Sequence, residues 1–98
     1  MFEIIILLRA DLEVDEIAEY YESLADGLGT KFFNEYQKYV DTLNTFPFFE
    51  KKYNIIRTLP LKKFPYTIHF TVDEINKIVA VHAVTSNYQD PNTTRIKL

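Results

Sequence analysis

The chain contains no cysteine and only two glycines in 98 residues. Without cysteine it can form neither disulfide bonds nor thiolate metal sites, and its composition suits a reducing compartment. No glycine-rich phosphate loop, Ser/His/Asp set or pair of carboxylates stands out as a catalytic motif. The sequence also has no internal repeat and no low-complexity segment.

The apolar run at the N-terminus, residues 2–8, is too short to span a bilayer. It also lacks the basic start and the small-residue cleavage site of a signal peptide. We therefore expect a cytoplasmic protein that makes no contact with a membrane. The run itself is interpreted as a buried strand covered on both faces.

Apolar residues are plentiful: 47% of the chain is hydrophobic and 15% is aromatic. This composition is sufficient for one core, so residues 1–98 are expected to form a single domain. Only two glycines and four prolines interrupt the chain, and disorder is therefore not expected.

The net charge of -3 hides a separation of acidic and basic residues along the chain. Residues 11–26 contain seven acids and no base, whereas residues 51–63 contain five basic residues and no acid. A basic patch on an acidic protein can bind a nucleic acid or an acidic partner. The alternative interpretation is two solvated faces of opposite sign that have no binding role.

Helical periodicity marks the first half of the chain. Apolar residues at i, i+3 and i+4 predict one helix after Asp11, the expected N-cap, and a second over residues 30–45, which Pro47 ends. Gly27 and Gly29 are expected to form the tight link between them. Two amphipathic helices in a hairpin need a surface that covers their apolar stripes, and a sheet supplies it.

Three strands are predicted in the second half, after a linker at residues 48–52. The first begins at Tyr53, the second covers residues 66–72, and the third, nearly all apolar and therefore central, covers residues 78–84. The N-terminal strand must join the same sheet, because alone it could not bury its apolar side chains. We therefore predict an α+β fold of order β-α-α-β-β-β, with a helical hairpin on one face of an antiparallel sheet.

Short motifs, in this order, make the sequence resemble the RelE/ParE superfamily over residues 2–91. They are Tyr20-Tyr21-Glu22 and Gly27-Leu28-Gly29 with Phe32 in the helical hairpin, Arg57 before Leu59-Pro60-Leu61, Lys63-Phe64-Pro65-Tyr66, and Ala83-Val84 followed by Gln89-Asp90-Pro91. Members of this superfamily are the toxins of type II toxin–antitoxin pairs, often labelled plasmid stabilisation proteins.

The resemblance implies a growth-inhibiting toxin that a small antitoxin protein neutralises. RelE-like members bind in the ribosomal A site and cut mRNA, whereas ParE-like members poison DNA gyrase. The family fold is a twisted antiparallel sheet with two helices on one face. The opposite face and the last loop carry the toxicity, so we expect the arginine and the lysines of residues 51–63 on that uncovered face.

Candidate site residues follow from the resemblance by their positions. RNA cleavage of the RelE kind needs cations at the phosphate and a proton carrier, but no metal ion or cofactor. The implied catalytic candidates are Arg57, Lys63, His82 and Tyr88. The implied contacts to substrate or partner are Lys62, His69, Asn87 and Arg95.

The loop after the last strand departs from the family pattern. Residues 85–89 contain no base where many members carry His and Arg, which shifts the balance toward a toxin that does not cleave RNA, or a relative that only binds its partner. For His69 and His82 the default interpretation is a hydrogen-bonded strand histidine, because as a metal pair they lack a third ligand. A one-residue change of register decides whether they share a face.

Overall fold

Two helices and five strands form residues 1–89, the part of the chain described by this computed structural model. In chain order the elements are β1 (Glu3–Ile6), α1 (Leu8–Leu24), α2 (Leu28–Leu43), β2 (Lys51–Tyr53), β3 (Ile56–Pro60), β4 (Tyr66–Asp73) and β5 (Ile78–Ser86). The strands form one sheet in the order β1-β5-β4-β3-β2, and both helices pack on the same face of it. The predicted α+β fold with a helical hairpin on a sheet is confirmed.

The sheet is mixed, rather than antiparallel throughout as predicted. β1 joins the sheet as expected, but it runs parallel to β5, with Ile4 opposite Val79 and Ile6 opposite Val81. A parallel pair requires a long crossover, and here every other element lies between the two strands in sequence. β5 has strands on both sides, β1 and β4, which agrees with its nearly continuous apolar sequence.

A fifth strand, β2, replaces part of the linker predicted at residues 48–52. It pairs with β3 in antiparallel direction, with Lys51 opposite Arg57. The turn between them places Asn54 in the left-handed region at φ 49°, which asparagine adopts more readily than most residues. Because β2 is short and largely exposed, it lacks the apolar alternation by which a strand is recognised.

Both helices begin earlier than predicted. α1 starts at Leu8, so Asp11 lies in the first turn instead of at the N-cap. There its negative charge still interacts favourably with the positive end of the helix dipole. α2 follows directly on Gly27, whose φ of 83° makes the predicted tight link. α2 ends at Leu43, well before Pro47, so the proline does not end this helix.

The core lies between the sheet and the helices. Its fully buried side chains include Phe32, Leu43, Ile68, Phe70, Val79 and Val81. Burial of each such side chain contributes about 1.5–3 kcal/mol relative to exposure. Asn44 fastens the N-terminus to the end of α2: its backbone carbonyl accepts the Phe2 N–H at 2.8 Å, and its side-chain amide donates to the Phe2 carbonyl at 2.6 Å.

The helical hairpin is closed by Gly29 and Glu22. A Cβ at Gly29 would overlap the backbone carbonyl oxygen of Ala18, so only glycine allows α2 to approach α1 this closely. The Glu22 carboxylate accepts the N–H groups of Gly27 at 2.9 Å and Gly29 at 3.1 Å. These bonds satisfy donors that the start of a helix leaves unpaired, so Glu22 is a structural acid.

Gly29→Ala should lower the free energy of unfolding by about 1–3 kcal/mol, because the added methyl group meets a backbone oxygen that cannot rotate away. The neighbouring Thr30→Ala, at an exposed helical position, should change it by less than about 0.5 kcal/mol. Urea unfolding followed by circular dichroism measures both. Equal stability of Gly29→Ala and the wild type would contradict the close approach of the two helices.

Candidate functional site

The sheet face opposite the helices carries a group of hydroxyl and imidazole side chains. Among residues 1–89 no helix packs on this face. Its polar members come from three adjacent strands and are Thr58, Thr67, His69, Thr71, His82 and Thr85. A small apolar cluster of Ile56 and Ala83 lies beside them. We call this surface the histidine face.

His69 is held on both sides of its ring. Its Nδ1 lies 3.0 Å from the Tyr53 hydroxyl, and its Nε2 lies 2.8 Å from the Thr85 hydroxyl. Because each hydroxyl can donate or accept, the neutral imidazole satisfies both contacts in either tautomer. Only 7% of the residue is exposed, so little of it is available to a partner. The expectation of a hydrogen-bonded strand histidine is confirmed for this residue.

His82 is the extra residue of a β-bulge in β5. The pairing of β4 with β5 shifts register between His69 and Phe70, and His82 is the residue left over by that shift. Its Nε2 lies 2.9 Å from the Thr71 hydroxyl. Since Thr71 and His69 alternate with core residues along β4, both histidines lie on the histidine face. The bulge thus decides the register that the sequence left open.

The outer edge of β5 is completed by α1. β1 pairs with β5 only as far as Val81, so the later N–H groups on that edge have no strand partner among residues 1–89. The Glu13 carboxylate accepts the Val84 N–H at 3.0 Å, and Arg9 Nε lies 3.3 Å from the other oxygen of Glu13. Arg9 was not among the predicted site residues. Its only sequence signal is the i, i+4 spacing from Glu13.

The environment of both histidines favours the neutral imidazole. Burial, with a smaller contribution from the positive charge of Arg9, lowers the pKa of His69 from 6.5 to about 4. The same two causes, again with burial first, lower the pKa of His82. A neutral imidazole can accept a proton from a hydroxyl group. The half-buried His82 therefore provides a base, and the positive charge of Arg9 acts on it.

The expectation of the uncovered face is wrong for Arg57, Lys62 and Lys63. Arg57 stands opposite Phe70, a core residue, and shares the side of Leu59, so its side chain lies on the helix side of the sheet. There Nη1 donates to the Phe49 carbonyl at 2.8 Å, and the guanidinium carbon lies 5.9 Å from the centre of the Phe48 ring. Arg57 thus fastens the connection between α2 and β2 to the sheet.

Lys62 and Lys63 lie in the loop between β3 and β4, next to α2. The backbone N–H of Lys63 donates to the Glu35 carboxylate at 2.9 Å, and this bond connects the loop to the helix. Both lysines line a groove between this loop and α2. The catalytic candidates are therefore divided, with Arg57 and Lys63 on the helix side and His82 on the histidine face. Their roles stay predictions.

The loop after β5 contains the remaining candidates. The Asn87 side-chain carbonyl accepts the Thr67 hydroxyl at 2.6 Å at the border of the histidine face, and Tyr88 is 86% exposed. Arg95 lies outside the described residues. Within residues 1–89, no three His, Asp or Glu side chains gather as metal ligands, and neither helix is long and apolar enough to cross a membrane.

Protein stability should fall as the pH drops from 6.5 toward 4, in part because of His69. The unfolded chain takes up a proton near pH 6.5, whereas the folded chain resists protonation until about pH 4. At about 1.4 kcal/mol for each unit between the two pKa values, this loss is on the order of 3 kcal/mol. Urea unfolding across this range should show a weaker pH dependence for His69→Gln, and an unchanged dependence would contradict the assignment.

Comparison with known proteins identifies the fold. No protein-family model matches the sequence, and no curated protein matches it significantly. A chain of the chromosomal ParDE toxin–antitoxin system of P. aeruginosa is similar at a TM-score of 0.77 and 19% identity, over 88% of this chain and 96% of that chain. The isolated RelE toxin of E. coli is similar at a TM-score of 0.59 and 11% identity, over 96% of this chain and 93% of that chain. The chain therefore has the fold of the RelE/ParE toxins, as its sequence motifs predicted.

Proposed function

We propose that this protein is the toxin component of a toxin–antitoxin pair. The observation that supports this most strongly is the similarity of the fold, which extends over nearly the whole chain to two structures named for such systems. The motifs of the helical hairpin and of the segment from Arg57 to Tyr66 support the same assignment from the sequence. Fold and motifs are separate observations, and they agree.

The proposed partner is a small antitoxin protein encoded beside this gene, as the family resemblance implies. A protein interface is supported by large apolar side chains that the helical hairpin leaves exposed. They are Leu8, Leu12, Tyr20, Leu24 and Phe33. A protein bound to the hairpin would remove these side chains from water, which favours the complex.

For the target, we favour inhibition of DNA gyrase without cleavage of RNA. Arg57 and Lys63, the cations assigned to the phosphate, lie on the other side of the sheet from His82. A cleavage site needs its cation and its proton carrier at the same phosphate, so groups on opposite sides of a sheet cannot serve one site together. The closer similarity to the ParDE structure supports the same choice.

A ribosome-dependent ribonuclease is the second candidate, and the surroundings of His82 favour it. This imidazole is half-buried and contacts Thr71, and the charge of Arg9 acts on it. A neutral imidazole can take the proton of a ribose 2′-hydroxyl, while a neighbouring guanidinium stabilises the charge on the phosphate. In that mechanism the cation is Arg9, in place of Arg57. A relative that only binds its partner would have neither activity.

Induced expression of the chain alone should arrest growth, leave transcripts intact and inhibit supercoiling by gyrase. Co-expression of the neighbouring gene product should restore growth, because the two proteins form a complex. Growth curves, mapping of transcript ends and a supercoiling assay with purified protein measure these outcomes. Normal growth in the presence of abundant folded protein would contradict the assignment as a toxin.

Two variants separate the two candidate targets in the same experiment. If wild-type protein cuts transcripts, and His82→Ala reduces cutting by about 100-fold or more, the ribonuclease replaces gyrase inhibition. Thr58→Ala is the matched control, since Thr58 lies on the histidine face but on β3, which β4 separates from the strand of His82. Inhibition of gyrase by wild type and His82→Ala alike would support the first candidate.

A further inference from the structure

Two adjoining cavities form a groove between α2 and the loop that joins β3 to β4. Their volumes are about 500 and 470 Å³, and they share Glu35, Lys38 and Lys63. Lys31 lines only the first cavity, and Lys62 lines only the second. We call this feature the lysine groove. It lies on the helix side of the sheet and is separate from the histidine face.

The lysine groove is basic on a protein that is acidic overall. Its four lysines face one carboxylate, that of Glu35, which already accepts the backbone N–H of Lys63. In the part of the chain that the structure describes, none of these lysines forms an ion pair. The whole chain carries a net charge of -3. Such a local concentration of unpaired positive charge attracts an anionic partner.

Apolar side chains form the floor and walls of the groove. They are Tyr39, Phe49, Leu59 and Phe64. Phe64 packs edge to face on Phe32, with ring centres 5.4 Å apart, and Phe49 packs in the same way on Phe70 at 6.3 Å. These rings are fixed by the core, so they offer firm apolar contacts to a ligand and little freedom to rearrange around it.

The length of the groove matches a short extended peptide. Lys31, Glu35, Lys38 and Thr42 are three to four residues apart and therefore form one stripe along α2. From residue 31 to residue 42 the helix rises by roughly 16 Å, which corresponds to about five residues of extended chain. Successive side chains of an extended chain point to opposite sides, so they can contact the lysines and the apolar floor in turn.

We propose that the lysine groove binds an extended segment of a partner protein in which carboxylates alternate with apolar side chains. The carboxylates pair with the lysines at the rim, and the apolar side chains cover Leu59 and the rings of the floor. Charge pairs at a rim govern specificity and the rate of association, while apolar contacts at the centre hold the segment. Such binding needs no toxic activity and is independent of the proposed function.

A nucleic acid fits the groove less well than an acidic peptide. Its phosphates would meet the Glu35 carboxylate among the lysines, and its backbone carries no apolar side chain for Leu59. The acids of α1 and the net negative charge of the chain oppose the approach of a long polyanion. A short segment avoids this opposition, because its charges interact mainly with the lysines within a Debye length.

A fluorescein-labelled peptide that alternates Glu with Leu is the probe, and fluorescence anisotropy with the purified full-length chain measures its affinity. Lys38→Glu and Lys63→Glu should each weaken binding by about tenfold or more, because a repelling charge replaces an attracting one. The matched control is Lys51→Glu on the exposed edge strand β2, which should change the affinity by less than about twofold. A peptide with Gln at each Glu position should bind about tenfold more weakly than the Glu peptide.

Circular dichroism establishes that each variant is folded, and Lys31→Gln, at an exposed position of α2, replaces any variant that is not. Three results would overturn the assignment: no saturable binding of the Glu peptide, an equal loss of affinity in Lys51→Glu, or tighter binding of a ten-nucleotide RNA through the same lysines. The last result would identify the groove as a nucleic-acid site.

Discussion

The central position of β5 is the constraint on which the rest of the structure depends. Its first half has strands on both sides, the parallel β1 and the antiparallel β4. Beyond Val81 the outer edge of β5 is no longer paired with β1 and is bonded by α1 instead, because Glu13 accepts the Val84 N–H. This requires α1 to begin almost directly after β1. Arg9, in the first turn of the helix, is consequently linked through Glu13 to Val84, two residues after His82.

The sheet separates two kinds of surface. The helix side carries unpaired lysines over an apolar floor, and the histidine face carries imidazoles that contact hydroxyl groups. Binding at the lysine groove would therefore leave His82 uncovered, so a partner could occupy one surface while a target contacts the other. In a toxin of this fold, recognition of a partner and action on a target need not depend on the same residues.

Most of the fold could be predicted because helix periodicity, the Gly27 link and strand alternation depend on neighbouring residues. The direction of β1 and the existence of β2 could not, since both depend on pairing between distant segments. The positions of the candidate site residues also depend on pairing between distant segments. The pairing of Arg57 with Phe70 determines its side of the sheet, and the bulge at His82 changes the alternation along β5. Arg9 could be recognised only from the structure, because it pairs with Glu13, which accepts an N–H group of β5 that β1 does not reach.

Hydrogen exchange of the Val84 amide tests this account most directly, because that N–H reports whether α1 completes the edge of β5. We expect slow exchange in the wild type and exchange about tenfold faster or more in Glu13→Ala, since the amide then loses its acceptor. Glu16→Ala, which removes an exposed acid on the same helix, should leave the rate unchanged. Equal rates in Glu13→Ala and the wild type would contradict the account, because α1 would then not complete the edge of β5.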